Sequence, residues 1–121
     1  MAEYRTERAG RLIQEIIGAL ILEGRIKDPR VDPFLSITKV SVSGDFSWAE
    51  VYVSRISEDG NIVRAVEGLQ NAAGFIQSQL ARTMRVRKIP RLRFHRDRSI
   101  REGFDIIKKI EGLGKDGGEG Q

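Results

Sequence analysis

Nine cations crowd one stretch of this chain: Arg82, Arg85, Arg87, Lys88, Arg91, Arg93, Arg96, Arg98 and Arg101, with Asp97 the single acid among them. Eight of the nine are arginines, whose planar guanidinium forks match the paired oxygens of a phosphate. The chemistry this offers is recognition of an anion, not the making or breaking of bonds. A basic patch of this kind suits nucleic acid, an anionic membrane or an acidic protein partner, and its arginine content favours nucleic acid. A smaller set, Arg5, Arg8 and Arg11, lies at i, i+3 and i+6 and shares one helical face. With Glu3, Glu7 and Glu15 close by, that set is either an ordinary solvated surface or a second RNA-contacting patch.

Residues able to do catalysis are scarce. The chain has one histidine, His95, and no cysteine. A metal site on His95 would lack a second imidazole or a thiolate, so no metal and no cofactor is expected. No GxxxxGK or GxSxG motif occurs. The neighbouring carboxylates Glu58 and Asp59 read as a solvated loop. The expectation is a binding protein and not an enzyme.

At 121 residues, 40% of them apolar and 31% charged, the chain has the size and balance of one domain. Its net charge is only +4, yet its pI is about 9.8. No apolar run approaches the roughly 20 residues that cross a bilayer, and the start, Met-Ala-Glu-Tyr-Arg, has no signal-peptide core. Together with the absence of cysteine, this fits a cytoplasmic protein.

The elements that must position the cations are legible from periodicity. From Arg5 onward, Leu12, Ile13, Ile16, Ile17, Leu20 and Ile21 repeat at helical spacing, with Thr6 a candidate N-cap and an end expected before Gly24. Asp28-Pro29-Arg30 and Val31-Asp32-Pro33 are turns, and Asp28 can pair with Arg30 across the first. Leu35 to Ser43 alternates like a strand, but its phase slips. A bulge near Thr38-Lys39 would return Leu35, Ile37, Val40 and Val42 to one face. Gly44-Asp45-Phe46-Ser47 is the turn into a second strand, Trp48 to Ser54, with Ala49, Val51 and Val53 on one side, so the two strands form an antiparallel hairpin.

A loop over 57–61 follows, from which Asp59 or Asn61 can cap a helix. Ile62, Val63, Val66 and Leu69 then repeat at helical spacing, as do Phe75, Ile76, Leu80 and Met84. Gly74 inside one unbroken helix would cost roughly 1 kcal/mol against alanine, so a bend or junction is expected at Ala73-Gly74. Arg91 to Arg96 is a third strand with Leu92 and Phe94 inward and Arg91, Arg93 and His95 outward. Ser99-Ile100-Arg101-Glu102 has the capping-box pattern, and Ile100, Phe104, Ile107 and Ile110 would line a last helix. The tail from Gly112 is Gly-rich. The expectation is an α+β domain over 1–111, of order α-β-β-α-α-β-α, then a disordered tail over 112–121.

A helix–bend–helix followed by a strand resembles a KH domain of the type II arrangement. Where a KH domain carries its GxxG loop, this chain has Asn71-Ala72-Ala73-Gly74, an Ala-x-Gly bend lacking the first glycine. That departure is similar to the ribosome-binding factor A family. The likeness extends over Arg5 to Ile110. It includes Asp28-Pro29-Arg30, Ile37-Thr38-Lys39-Val40-Ser41-Val42-Ser43 and Ala49-Glu50-Val51-Tyr52-Val53-Ser54. It closes with Arg87-Lys88-Ile89-Pro90-Arg91-Leu92-Arg93-Phe94 and Asp97.

The resemblance implies a monomeric, non-catalytic factor that binds the immature small (30S) ribosomal subunit. It implies a role in 16S rRNA maturation near the 5′ end, and in growth in the cold. The residues themselves leave two other readings open: a general KH-like binder of single-stranded nucleic acid, and a protein-interaction module with a basic face.

Overall fold

The computed structural model describes residues 2–55 and 61–98. In order they form α1 (Ala2–Leu22), β1 (Leu35–Val42), β2 (Trp48–Arg55), α2 (Ile62–Asn71), α3 (Ala73–Thr83) and β3 (Arg91–Arg96). The expected α-β-β-α-α-β order is present. The candidate cap Asp59, the last helix over Ser99–Ile110, Arg101 and the tail over 112–121 lie outside the described residues.

The strands form one sheet in the order β1-β2-β3. β1 and β2 are antiparallel, with a register shift between Ile37 and Lys39, the bulge that the broken alternation demanded. Polar groups freed there find partners: Gln14 of α1 donates to the Ile37 carbonyl at 2.9 Å, and the Thr38 hydroxyl lies 3.2 Å from the Tyr52 carbonyl oxygen and also donates to the Asp97 carboxylate. β3 runs parallel to β2, pairing Trp48 with Arg91 and Val53 with Arg96. All three helices lie on one face, α1 along β1 and the α2–α3 pair along β3. Beneath them Leu35, Ile37, Ala49, Val51, Val53, Leu92 and Phe94 are buried.

α1 starts at Ala2, so Thr6 sits inside it and is not its cap. Nothing in Ala2–Arg5 breaks a helix, and all four residues tolerate one. Its buried line is Ala9, Ile13, Ile17, Leu20 and Ile21. Leu12, expected on that face, is 38% exposed, because it lies roughly 100° round the helix from Ile13, at the margin of the buried line. At Gly10 the helix presses on the strand: a Cβ there would stand 2.7 Å from the Val40 carbonyl oxygen. The C-terminus is a Schellman motif. Gly24 takes φ 69°, Gly24 N–H donates to Ile21 at 3.1 Å, and Arg25 N–H donates to Leu20 at 3.0 Å.

Asn61 caps α2, its side-chain oxygen accepting from the backbone of Val63 and Arg64 at 3.0 and 3.2 Å. The helix–helix break falls at Ala72 (φ −92°, ψ 7°), one residue before the expected Ala73-Gly74. Gly74 is exposed inside α3, and a Cβ there would touch nothing. Two apolar residues expected inside are exposed: Val63 and Phe75. The inner line of α2 keeps Leu69 as expected and adds Ala65 and Gly68, small residues that let the backbone approach. The break at Ala72 resets the phase, so that Ile76 and Leu80 of α3 point inward and Phe75 points out.

Candidate nucleic-acid interface

The β1–β2 turn sets the geometry. Ser43 N–H donates to the Trp48 carbonyl at 2.8 Å, and the Asp45 carboxylate accepts from the Ser47 backbone at 3.0 Å and the Ser43 hydroxyl at 2.9 Å. These bonds hold Phe46 at φ 61°, an uncommon conformation for a large side chain. They also keep the Asp45 carboxyl below the usual carboxylate range, the Ser47 backbone N–H contributing most.

Around this turn the two basic groups of the sequence meet. The Arg5 guanidinium of α1 lies 5.6 Å from the Phe46 ring. Lys88 Nζ donates to Ser47 Oγ at 3.1 Å and to the Asp45 carbonyl at 3.4 Å. Just beyond, Arg93 and Arg91 lie 3.9 and 5.9 Å from the Trp48 ring. Arg5, Lys88, Arg91 and Arg93 therefore share one end of the molecule with two aromatic rings.

Every other described cation of the two groups is exposed, but not all belong there. Arg8 lies over Tyr4 at 5.7 Å, and Arg11 follows it along α1. Arg82 closes α3, and Arg85 and Arg87 lie in the connection to β3. Arg96 sits at the far end of β3, five residues or roughly 17 Å from Arg91, with Arg98 beyond it. The basic run is a band along the β3 side and not a single patch.

The sheet face away from the helices carries Trp48, Glu50 and Tyr52 on β2 and Arg91, Arg93 and His95 on β3. Glu50 accepts from Arg93 at 3.1 Å through one oxygen and contacts His95 Nε2 through the other. Tyr52 and His95 form a tilted ring pair with centroids 5.2 Å apart.

The α2–α3 junction is clamped from two sides. The Gln70 amide donates to the Leu92 carbonyl and accepts from Phe94 N–H, both at 3.0 Å, as a strand would at the free edge of β3. Asn71 Nδ2 donates to Asp28 Oδ2 at 3.3 Å. The expected Asp28–Arg30 pair is present: the Asp28 carboxylate accepts from Arg30 N, Nε and Nη2, each at 2.9 Å. Gly68 makes room for this turn, since a Cβ there would lie 3.0 Å from both Arg30 Cβ and Asp28 Oδ1. The bend residues Ala72 and Ala73 are half-buried against the core.

The Arg30 side chain, then its backbone N–H, hold the Asp28 carboxyl well below the ordinary aspartate range. A depressed carboxylate contributes stability that is present above its unfolded pKa, near ~4, and is lost as pH falls through the folded value. Melting temperatures taken from pH 7 downward should therefore decline below about pH 4. Asp28→Asn should start lower at pH 7 and decline less steeply, and an equal slope would remove this pair from the cause.

Periodicity located the cations but missed Phe46, Trp48, Tyr52 and Glu50 as members of the same surface. The alternation of β2 already placed Glu50 and Tyr52 on its outer side. What was lacking was the pairing of β2 with β3, which sets Trp48 beside Arg91 and Glu50 beside Arg93. Among the described residues no group of three or more His, Cys, Asp or Glu could hold a metal, and no helix is long and apolar enough to cross a membrane.

An antiparallel hairpin, a broken helix pair and a parallel third strand, with cations banded along that strand, define a KH-like domain of the type II arrangement. Comparison with known proteins agrees. The family model described as Ribosome-binding factor A matches residues 5–110. The chain is 49% identical over 113 residues to Ribosome-binding factor A of Treponema denticola, covering 93% of this chain and 86% of that one. Against the protein of the same name from Treponema pallidum (strain Nichols) it is 45% identical over 113 residues, covering 93% and 90%. The crystal structure of ribosome-binding factor A from Thermus thermophilus superposes with a TM-score of 0.66 at 28% identity, covering 78% of this chain and 97% of that one. The chain belongs to the ribosome-binding factor A family.

Proposed function

We propose that this chain binds the immature small (30S) ribosomal subunit as a non-catalytic assembly factor and assists maturation of 16S rRNA at its 5′ end. It acts in the cytoplasm as a monomer and needs no cofactor. Residues 1–111 form the RNA-binding domain, and 112–121 are a tail. The observation that carries this reading is the meeting of Arg5, Lys88, Arg91 and Arg93 at the β1–β2 turn, continued along the β3 side by Arg82, Arg85, Arg87, Arg96 and Arg98. A band of exposed guanidiniums suits a folded phosphate backbone, and the names of the relatives point to the ribosome as its source.

Two measurements test this. In gradient sedimentation the protein should travel with free small subunits and not with mature, translating ribosomes. Replacing Arg85, Arg87 and Lys88 together by alanine should weaken that association and flatten the log–log salt dependence of binding to duplex-like RNA by about 2–3, if each neutralises one phosphate. All three are exposed, so the fold survives the change. An unchanged slope moves the interface to Arg5, Arg8 and Arg11. Binding to short unpaired RNA but not to subunits would favour a general single-strand binder, and loss of subunit binding without any RNA affinity would favour an acidic protein partner.

A further inference from the structure

The stacked pair Trp48–Arg93 has a second, open side. Arg93 lies 3.9 Å from the Trp48 ring, Glu50 holds its Nη2 at 3.1 Å, and its side chain is still 49% exposed. With Nη2 held by Glu50, part of the guanidinium's donor edge is already engaged and less of it is left for a phosphate. What the guanidinium presents outward is a flat, cationic surface of the kind on which unpaired bases stack. Two residues beyond Glu50 and Arg93 on the same face, Tyr52 and His95 form the tilted ring pair. Register puts Lys39 in the same rung as Tyr52 and His95, and Arg91 in the same rung as Trp48. The face thus alternates ring surfaces with cations, and Glu50 is the acid between them.

From this geometry we infer that the open sheet face binds an unpaired stretch of RNA, one base stacking on Arg93 over Trp48, a second on the Tyr52–His95 pair, with Arg91 and Lys39 meeting the phosphates. The inference rests on the RNA-binding reading above and divides its cations into two kinds. Arg85, Arg87 and Lys88 neutralise phosphates, whereas Arg93, already paired with Glu50, works through its plane. An acidic peptide would satisfy the net charge but makes no use of two ring surfaces spaced along a strand.

Trp48 is the chain's single tryptophan, so its fluorescence reports this face alone. The intact protein is titrated with a short unstructured RNA, with a blunt RNA duplex and with polyglutamate, following Trp48 emission and the anisotropy of labelled RNA. Unpaired RNA should quench Trp48, and the duplex should bind without doing so. Arg93→Lys keeps the charge and loses the plane. It should weaken unpaired RNA about tenfold, with duplex affinity and salt slope unchanged. Trp48→Phe keeps a ring and should hold unpaired RNA within about threefold. An unaltered melting curve for Arg93→Lys confirms that it is folded.

Unpaired RNA that binds without quenching, or an Arg93→Lys variant that changes only the salt slope, overturns the stacking inference and leaves the wider reading intact. Quenching by polyglutamate equal to that by RNA overturns it in favour of an acidic protein partner. Failure of both RNAs to bind removes the wider reading, and the inference with it.

Discussion

Phe94→Ala should lower the free energy of unfolding by about 3–5 kcal/mol. Phe94 sits on β3, 6% exposed, facing the core beside Val51, its register partner. Truncating it removes the largest apolar side chain that the sheet contributes to the core, and it leaves a void under the α2–α3 pair that packs along this strand. The surroundings cannot collapse freely, because Gln70 ties α2 to the Leu92 and Phe94 backbone on the same strand. Tyr52→Ala and Arg93→Ala, on the opposite face, should each cost far less. Paired denaturant melts check the ranking. If Arg93→Ala lost more than Phe94→Ala, the two faces of the sheet would have to be exchanged.

The second large effect is a contrast within one helix. Gly10→Ala and Gly18→Ala make the same chemical change in α1, yet their outcomes should have opposite signs. At Gly10 the new Cβ would stand 2.7 Å from the Val40 carbonyl oxygen, which is backbone and cannot rotate away. Helix and strand must separate there, at a cost of about 1–3 kcal/mol. At Gly18 a Cβ meets nothing within 4 Å. Alanine there gains intrinsic helix propensity, up to about 1 kcal/mol. For a domain of this size each kcal/mol moves the melting temperature by about 2–8 °C, so thermal scans resolve both shifts. A stabilised Gly10→Ala would mean that α1 rides higher over β1 than this contact requires.

These two predictions differ in how much of their basis the sequence contains. The inward parity of Leu92 and Phe94 is a period-of-two pattern, readable from the chain itself. The closeness of Gly10 to Val40 is not, since no local pattern tells which strand a helix will cross or at which residue. The same division runs through the errors. Leu12, Val63 and Phe75 belong to apolar helical stripes, yet all three are exposed, because a stripe wider than its contact leaves its margin in water. Ala65 and Gly68 carried little hydrophobic signal and are buried, because the Asp28–Arg30 turn and the sheet come close enough to need small residues there. Thr6 has the chemistry of a cap, but the helix continues past it, since a cap residue is used only where something else stops the helix.

By itself, the sequence determined the six described elements, their order, the bulge at Thr38, the Gly24 stop, the Asp28–Arg30 pair and the basic character of the third strand. Each of these depends on neighbours within a turn or a strand length, and local sterics and periodicity act over that range. Only the tertiary structure decided that Arg5 comes to Phe46, that Lys88 reaches Ser47, and that Arg93 lies over Trp48 under the hold of Glu50. Those contacts join residues 41 or more positions apart, and they arise because β3 pairs in parallel with β2 while α1 crosses β1. That choice of partners is made by burying the helical faces against one side of a single sheet. No residue in the basic run records it.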